Sequence, residues 1–492
     1  MRFLTPALLL AAMACQAPTP ATPCAAASDC PPGHLCDAFY GYCIAAAGRD
    51  GGAADRLHLD AALRDSAIDT ASPDAAGPPL QIFRSVGPNN RAPLASHSGS
   101  LSVYSGVANI APGPGDRIGV GDILAYSAYS GGGYDTAAMI VRRISATSYE
   151  VRTMDGDSAP DTSSDTTMWK IFRAHTSLAE ALRGDLNSGL QSLGLTLPPE
   201  TGDLVGSNRV LNILCYADAV DTESASLGEV TTSPVHRVRI YTPHLASEVG
   251  VSQRHAGTWS ESVYTIRNNF SEDILVSADH VTIEGLQIDV VDTGGYNVGV
   301  SVYAVGAGAR IEVLGCIFRG DGAASGPEYI AAEIWESNEG ATLRLANNLI
   351  YGMGGGFESA CAICAFSSRI EAYHNTIVDA PIGAQVVLPC PGILAINNLF
   401  ADCDRPADGR FIDGTDYNAT TSANLGYVTT TSPSHDRVGQ VFGFVAATAC
   451  NFHLTAGDSG ARNAGSTLPQ VTTDIDGQPR TVPRDIGADE VE

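Results

Sequence analysis

The chain has 492 residues, enough to bury a large core either in several domains or in a repeat array that grows along one axis. Its 52 glycines, 17% charged residues and single lysine, Lys170, favour turn-rich β-structure over helical bundles. A net charge of −26 argues against a nucleic-acid partner, whose phosphates need a basic face, and admits divalent cations or a self-repelling surface.

The N-terminal stretch "MRFLTPALLLAAMAC" has one cation at Arg2, an apolar core through Leu10 and small residues at Ala12 and Ala14, too short to span a bilayer permanently. Residues 1–15 resemble a bacterial lipoprotein signal with a lipobox ending at Cys15, although Ala12 stands where leucine is commonest. That resemblance implies cleavage before Cys15, lipidation of Cys15, and an exported protein held at the cell envelope, in the outer membrane or at the surface. Residues 16–47 hold Cys24, Cys30, Cys36 and Cys43 with little apolar content, so two disulfides in an oxidising compartment are the expected staple. Three pairings are open. The C-x5-C-x5-C-x6-C spacing lacks the close knuckles of zinc sites. The segment also resembles small Cys-rich modules that come after the lipobox in secreted bacterial proteins. Residues 48–79 space six aspartates, Asp50 to Asp74, among alanine and glycine, which predicts a disordered acidic linker. Calcium loops need carboxylates two residues apart, and these are four or five apart.

Residues 80–202 read as a β-rich domain ending in a short helix. Alternation in "LSVYSGVANI", "AMIVRRI" and "SYEVRTM" predicts antiparallel strands joined by glycine-rich turns. Those glycines lack the lysine and the strand-to-helix setting of a phosphate-binding loop. In "HTSLAEALRGDL", Ser177 and Glu180 form a capping box for a short helix, placed to close the open end of the region C-terminal to it.

From 203 to 413 the chain repeats itself. With Val281, Ile311, Leu343, Ile370 and Ile393 in register, five segments read "VTIEGLQI", "IEVLGCIF", "LRLANNLI", "IEAYHNTI" and "ILAINNLF". Their first and third columns are apolar and their second mostly polar, the pattern of a strand with one buried face. Gly285, Gly315, Asn347, His374 and Asn397 fill the fifth column with residues that tolerate positive φ, so the chain bends there. Asn348, Asn375 and Asn398 then stack in the sixth column, where their amides can bond from coil to coil.

A two-residue bend carrying an asparagine ladder resembles the turn of right-handed parallel β-helix proteins of the pectin-lyase-like class. The resemblance implies an all-β solenoid of seven to nine coils. Residues 414–492 contain "FHLTAGDSGARNAG" and "DIDGQPRTVPRDIGADE", which resemble the terminal segment of choice-of-anchor Q proteins, and are expected to end or cap the helix. "GDSG" around Ser459 falls inside that pattern and lacks the two-barrel fold of a serine protease.

One fold hosts many functions, so chemistry must come from residues. The N-T-D, D-D and G-H-G blocks of polygalacturonase-like enzymes and the R-x-P-x-x-R motif of pectate lyases are missing. The remaining candidates are Glu333 and Trp335, expected on one strand face as a carboxylate beside a sugar-stacking ring, with His374, Asp379, Asp402, Asp404 and Arg405 along an adjacent surface. Glu333, Asp379, Asp402 and Arg405 are the catalytic candidates, and Glu333, Trp335 and His374 the ligand-binding ones. Cys361 and Cys364 form a C-x2-C that, in an exported chain, favours a local disulfide or buried thiols over metal. No motif for a cofactor or metal is present, and calcium stays open only through the acidic charge. The expected function is binding of polysaccharide or another surface polymer without catalysis. Two alternatives are a polysaccharide lyase or glycoside hydrolase using carboxylates and arginine, and a structural spacer.

Overall fold

The computed structural model describes residues 77–491, apart from 97–98, 130–132, 163–167, 196–201, 229, 269–270, 292–294, 321–327, 336, 338–339, 355–359 and 388–390, together with strands His34–Asp37 and Tyr42–Ala45. The chain divides into two units, Met1–Ala75 and Ala76–Glu492. In the first, the two strands pair antiparallel with Cys36 opposite Cys43 in backbone register. The signal, Cys15, Cys24, Cys30 and nearly all of the acidic linker lie outside the described residues.

The second unit is built on three parallel sheets with eight, seven and eight strands. Each coil runs through the first sheet, bends, contributes a short strand to the second, turns again and contributes one to the third. Val281, Ile311, Leu343, Ile370 and Ile393 are successive partners in the first sheet, the register that the repeat predicts. Inward residues of all three sheets merge into one core that runs from Ile82 to Phe411 and beyond.

Sterics and hydrogen bonding together shape the bend. Gly285, Gly315, Asn347, His374 and Asn397 all have φ between 52° and 71°, and Tyr417 continues the column at 60°. After the bend, buried N–H groups face the next coil with no strand to receive them. The asparagines supply the acceptors: Cys316 N donates to Asn348 Oδ1 at 2.9 Å, Asn348 N to Asn375 Oδ1 at 3.0 Å, and Asn375 N to Asn398 Oδ1 at 3.1 Å. Each amide nitrogen donates back to a carbonyl of the previous coil, as Asn375 Nδ2 does to Leu345 O at 2.9 Å. The ladder continues to Asn418 and ends on Asp436, whose Oδ1 accepts from Asn418 N at 2.8 Å.

Two boundaries differ from the sequence reading. Leu80–Val86 pairs in parallel with Arg209–Cys215, so the first solenoid strand lies before the β-rich region. The antiparallel sheet that runs from Ala95 to Phe172 is therefore an insertion within the first coil, with its own core around Tyr126, Tyr149 and Trp169. Arg173 ties it down, bonded to Asp122 at 2.8 Å and to Asp218 at 2.9 Å, with its guanidinium 3.6 Å from the Tyr216 ring centre. Helix Leu178–Arg183, capped by Ser177 Oγ accepting from Glu180 N at 3.0 Å, buries Leu178 and Leu182 against the solenoid core.

The second difference concerns 414–492. Ala419–Thr420 and Tyr427–Val428 complete the last coil, but the rest folds back along the flank instead of capping the end. Phe452, Leu454, Ile475 and Ile486 cover outward Ile317, Leu349 and Leu399 of the second sheet. Arg480, paired with Glu490 in the interior at 3.1 Å, donates to Asn347 Oδ1 at 2.9 Å, and Asn397 Nδ2 donates to Ser466 O at 2.8 Å. The bend residues Asn347 and Asn397 therefore serve as a dock for the C-terminal segment.

Replacing Asn375 by alanine removes an acceptor for Asn348 and a donor to Leu345 in a water-free setting. The expected cost is about 3 kcal/mol, at 1–3 kcal/mol per orphaned group. Urea unfolding of the variant measures it, and a loss below about 1 kcal/mol would mean that the ladder does not carry the bend.

Candidate functional site

In the third sheet, Val300, Val302, Ala332 and Ile334 enter the core, so alternation turns Ser301, Tyr303, Glu333 and Trp335 outward. Pairing extends this into two outward columns. One contains Ser301, Glu333, Cys364, Gln385 and Asp408. The other is aromatic: Trp335 lies 5.4 Å from Tyr303 and 6.1 Å from Phe366, both ring to ring, in tilted or edge-on contacts. Trp335 is 38% exposed, and Val387, next along the ladder, is 36% exposed. The result is an apolar strip running across the coils, open to solvent at Trp335.

Glu333 and Trp335 do share a face, but Glu333 is 1% exposed. Its carboxylate accepts from Ser301 Oγ at 2.7 Å and from the Tyr296 hydroxyl. It is thus a buried support for the strand beside the aromatic column, with no open carboxylate for acid–base work. Beside it, Cys361 and Cys364 form a disulfide, while Cys403 is a buried thiol.

His374 is not on any ligand surface. It is fully buried in the bend column, where Asn397 Nδ2 donates to its Nε2 at 2.8 Å. Burial, and then the nearby Arg480 and Arg484, push its pKa well below the usual imidazole value. The covering C-terminal segment is the reason, and nothing in the local "AYHNTIV" discloses it.

Asp379 and Asp402 occupy a second bend, between the second and third sheets, with φ of 54° and 53°; Gly352 holds the equivalent place one coil earlier. Both are exposed, as are Asp404 and Arg405, and Arg405 pairs with Asp408 at 3.1 Å. The register sets Arg405 level with Ile382 and Cys361, three residues along and three coils across from Glu333, a separation of about 17 Å at 3.3 Å per residue and 4.8 Å per strand. Glu333, Asp379, Asp402 and Arg405 therefore do not surround a common point. Tyr303 and Phe366 do not stand out in the sequence, although the strand pairing that aligns them with Trp335 is implicit in the repeat.

The outer face of the first sheet is charged and self-neutralised. Arg344 lies between Glu312 and Glu371 at 3.3 and 3.4 Å, and Arg369 joins Glu371 at 3.1 Å. Burial would raise the Glu284 carboxyl, yet Arg254 and Arg239 outweigh it and hold it at about 2. These groups are engaged with one another and offer little to a ligand.

No protein-family model matches the chain, and no curated protein does. Among solved structures, the tailspike protein gp49 from Pseudomonas phage LKA1 aligns over 71% of this chain and 53% of its own length, at 11% identity and a TM-score of 0.12. The chain thus spans about half the length of that tailspike, and a score so low carries no argument.

His374 is kept neutral by the fold, whereas the unfolded imidazole takes up a proton near pH 6.5. Folding stability should therefore fall as pH drops through about 6.5. His374→Asn, which keeps the residue type found at Asn347 and Asn397, should flatten that slope between pH 7.5 and 5. Urea unfolding at the two pH values checks this, and an unchanged slope would show that His374 does not contribute.

Proposed function

We propose that this protein holds an extended polysaccharide along the outer face of its third sheet, without cleaving it. The observation that supports the reading is the Tyr303–Trp335–Phe366 column, an aromatic strip with Trp335 partly open to solvent. Sugar rings present C–H faces that pack on aromatic rings while their hydroxyls stay hydrated, so a strip of rings suits a polymer better than a closed pocket would. The scattered positions of Glu333, Asp379, Asp402 and Arg405 favour binding over hydrolysis or lysis. A right-handed winding, the usual hand of parallel β-connections, belongs to the same proposal. So does attachment to the envelope through an acylated Cys15, with the acidic linker as tether and disulfides in the Cys-rich module.

Incubating the purified chain with neutral and acidic polysaccharides, with and without calcium, and following both by size-exclusion chromatography tests the reading. Co-elution with one polymer of unchanged length is expected, and Trp335→Ala should weaken it about tenfold, the equivalent of 1.4 kcal/mol. Shortened polymer would replace binding with catalysis, and the absence of both would leave the spacer role. Separately, fatty-acid labelling in a bacterial host should mark the wild-type chain and not Cys15→Ala; label retained in the variant would refute anchoring at that residue.

A further inference from the structure

The C-terminal flank gathers His453, Asp476 and Asp489 from three separate stretches: the strand Asn451–Leu454, the turn after Ile475 and the last few residues. Their donor atoms all lie within 4.8 Å of one another. Nδ1 of His453 stands 2.7 Å from Asn451 Oδ1, an oxygen that only accepts, so this nitrogen carries a proton and Nε2 is the ring atom turned toward the carboxylates. That Nε2 is 3.0 Å from Asp476 Oδ2, a spacing that suits two donors on one small cation as well as it suits an ion pair. Asp489, 8% exposed, is aimed by Leu454 N donating to its Oδ2 at 2.6 Å.

Two further observations point to a ligand. Oδ1 of Asp476 is buried and receives no hydrogen bond, a cost that a cation would remove. Gly257 of the solenoid, at φ 63°, lies directly against the donors: a Cβ there would stand 2.3 Å from His453 Nε2 and 2.6 Å from Asp476 Oδ1. Beside it is a cavity of about 10 Å³ that Gly257, His453 and Asp489 help to line, the scale of a single water or ion.

We propose that His453, Asp476 and Asp489 bind a divalent transition cation, with water completing its shell, and that the cation pins three stretches of the C-terminal flank over Gly257. One imidazole nitrogen with two carboxylate oxygens suits zinc or manganese better than an all-oxygen calcium shell.

The test uses the full chain, stripped with chelator and dialysed against zinc, with bound metal counted by atomic emission. Because cysteines elsewhere can also take zinc, the readout is the difference between wild type and two variants, His453→Gln and Asp476→Asn. Each variant is expected to hold one equivalent fewer, and zinc should raise the thermal midpoint of the wild type alone. Two variants guard against one that fails to fold. Equal zinc in all three proteins, zero included, would overturn the proposal.

Discussion

The structure depends on how buried backbone is satisfied at one bend. A strand that turns sharply inside a solenoid leaves N–H groups that neither its own sheet nor water can reach, and each orphan costs about 1–3 kcal/mol. A stacked asparagine resolves this because one side chain both accepts and donates in the same plane. In Asn375, Oδ1 takes the N–H of Asn348 and Nδ2 reaches back to Leu345. This fixes the rise between coils and the phase of every strand that leaves the bend. Where the ladder runs out, a carboxylate takes over: Asp436 accepts from Asn418, and the Tyr427 hydroxyl bonds its other oxygen. Burial, the largest influence, pushes the Asp436 pKa up.

Once the phase is set, the outward columns are set with it, and the three sheets use them differently. The first sheet spends its column on alternating arginine and glutamate, which satisfy one another. The second presents Ile317, Leu349 and Leu399, and the C-terminal segment covers them. The third carries rings whose contacts run from coil to coil through a partly open tryptophan. The same repeat thus yields one surface closed by charge, one closed by chain and one left for contact.

This logic also explains which features are legible in the sequence. The bend column is legible because Gly285, Asn347 and Asn397 belong to the few residue types that accept positive φ, and the ladder because its anomaly recurs at matching positions. Asn418 is hidden since the last coil has lost the flanking apolar pattern. Leu80–Val86 looks like part of the β-rich region because its partner, Arg209–Cys215, lies beyond an entire inserted sheet, and pairing at that distance leaves no local trace. For Glu333 and Trp335, alternation assigns the face correctly and can say nothing of what lies over it: two residues apart on one strand, one is 1% exposed and the other 38%. His374 reads as a surface residue for a related reason, since its cover comes from residues near the C-terminus.

The same geometry bears on catalysis. Columns in a parallel solenoid repeat every ~4.8 Å across the coils, which places like groups beside like groups and makes long strips easily. Cleaving a glycosidic bond by paired carboxylates needs two of them facing each other across a gap of about 5–10 Å, a convergence that a regular column does not produce unless loops bring it about. Here Asp379 and Asp402 repeat a bend instead of opposing each other, and Glu333, beside the rings, is already bonded to Ser301 and Tyr296. A strip of rings gains affinity in another way, through several weak contacts along one extended partner whose later contacts form at high effective concentration. On the proposed reading, the regularity that permits the ladder is thus the same property that favours holding a polymer over cutting it.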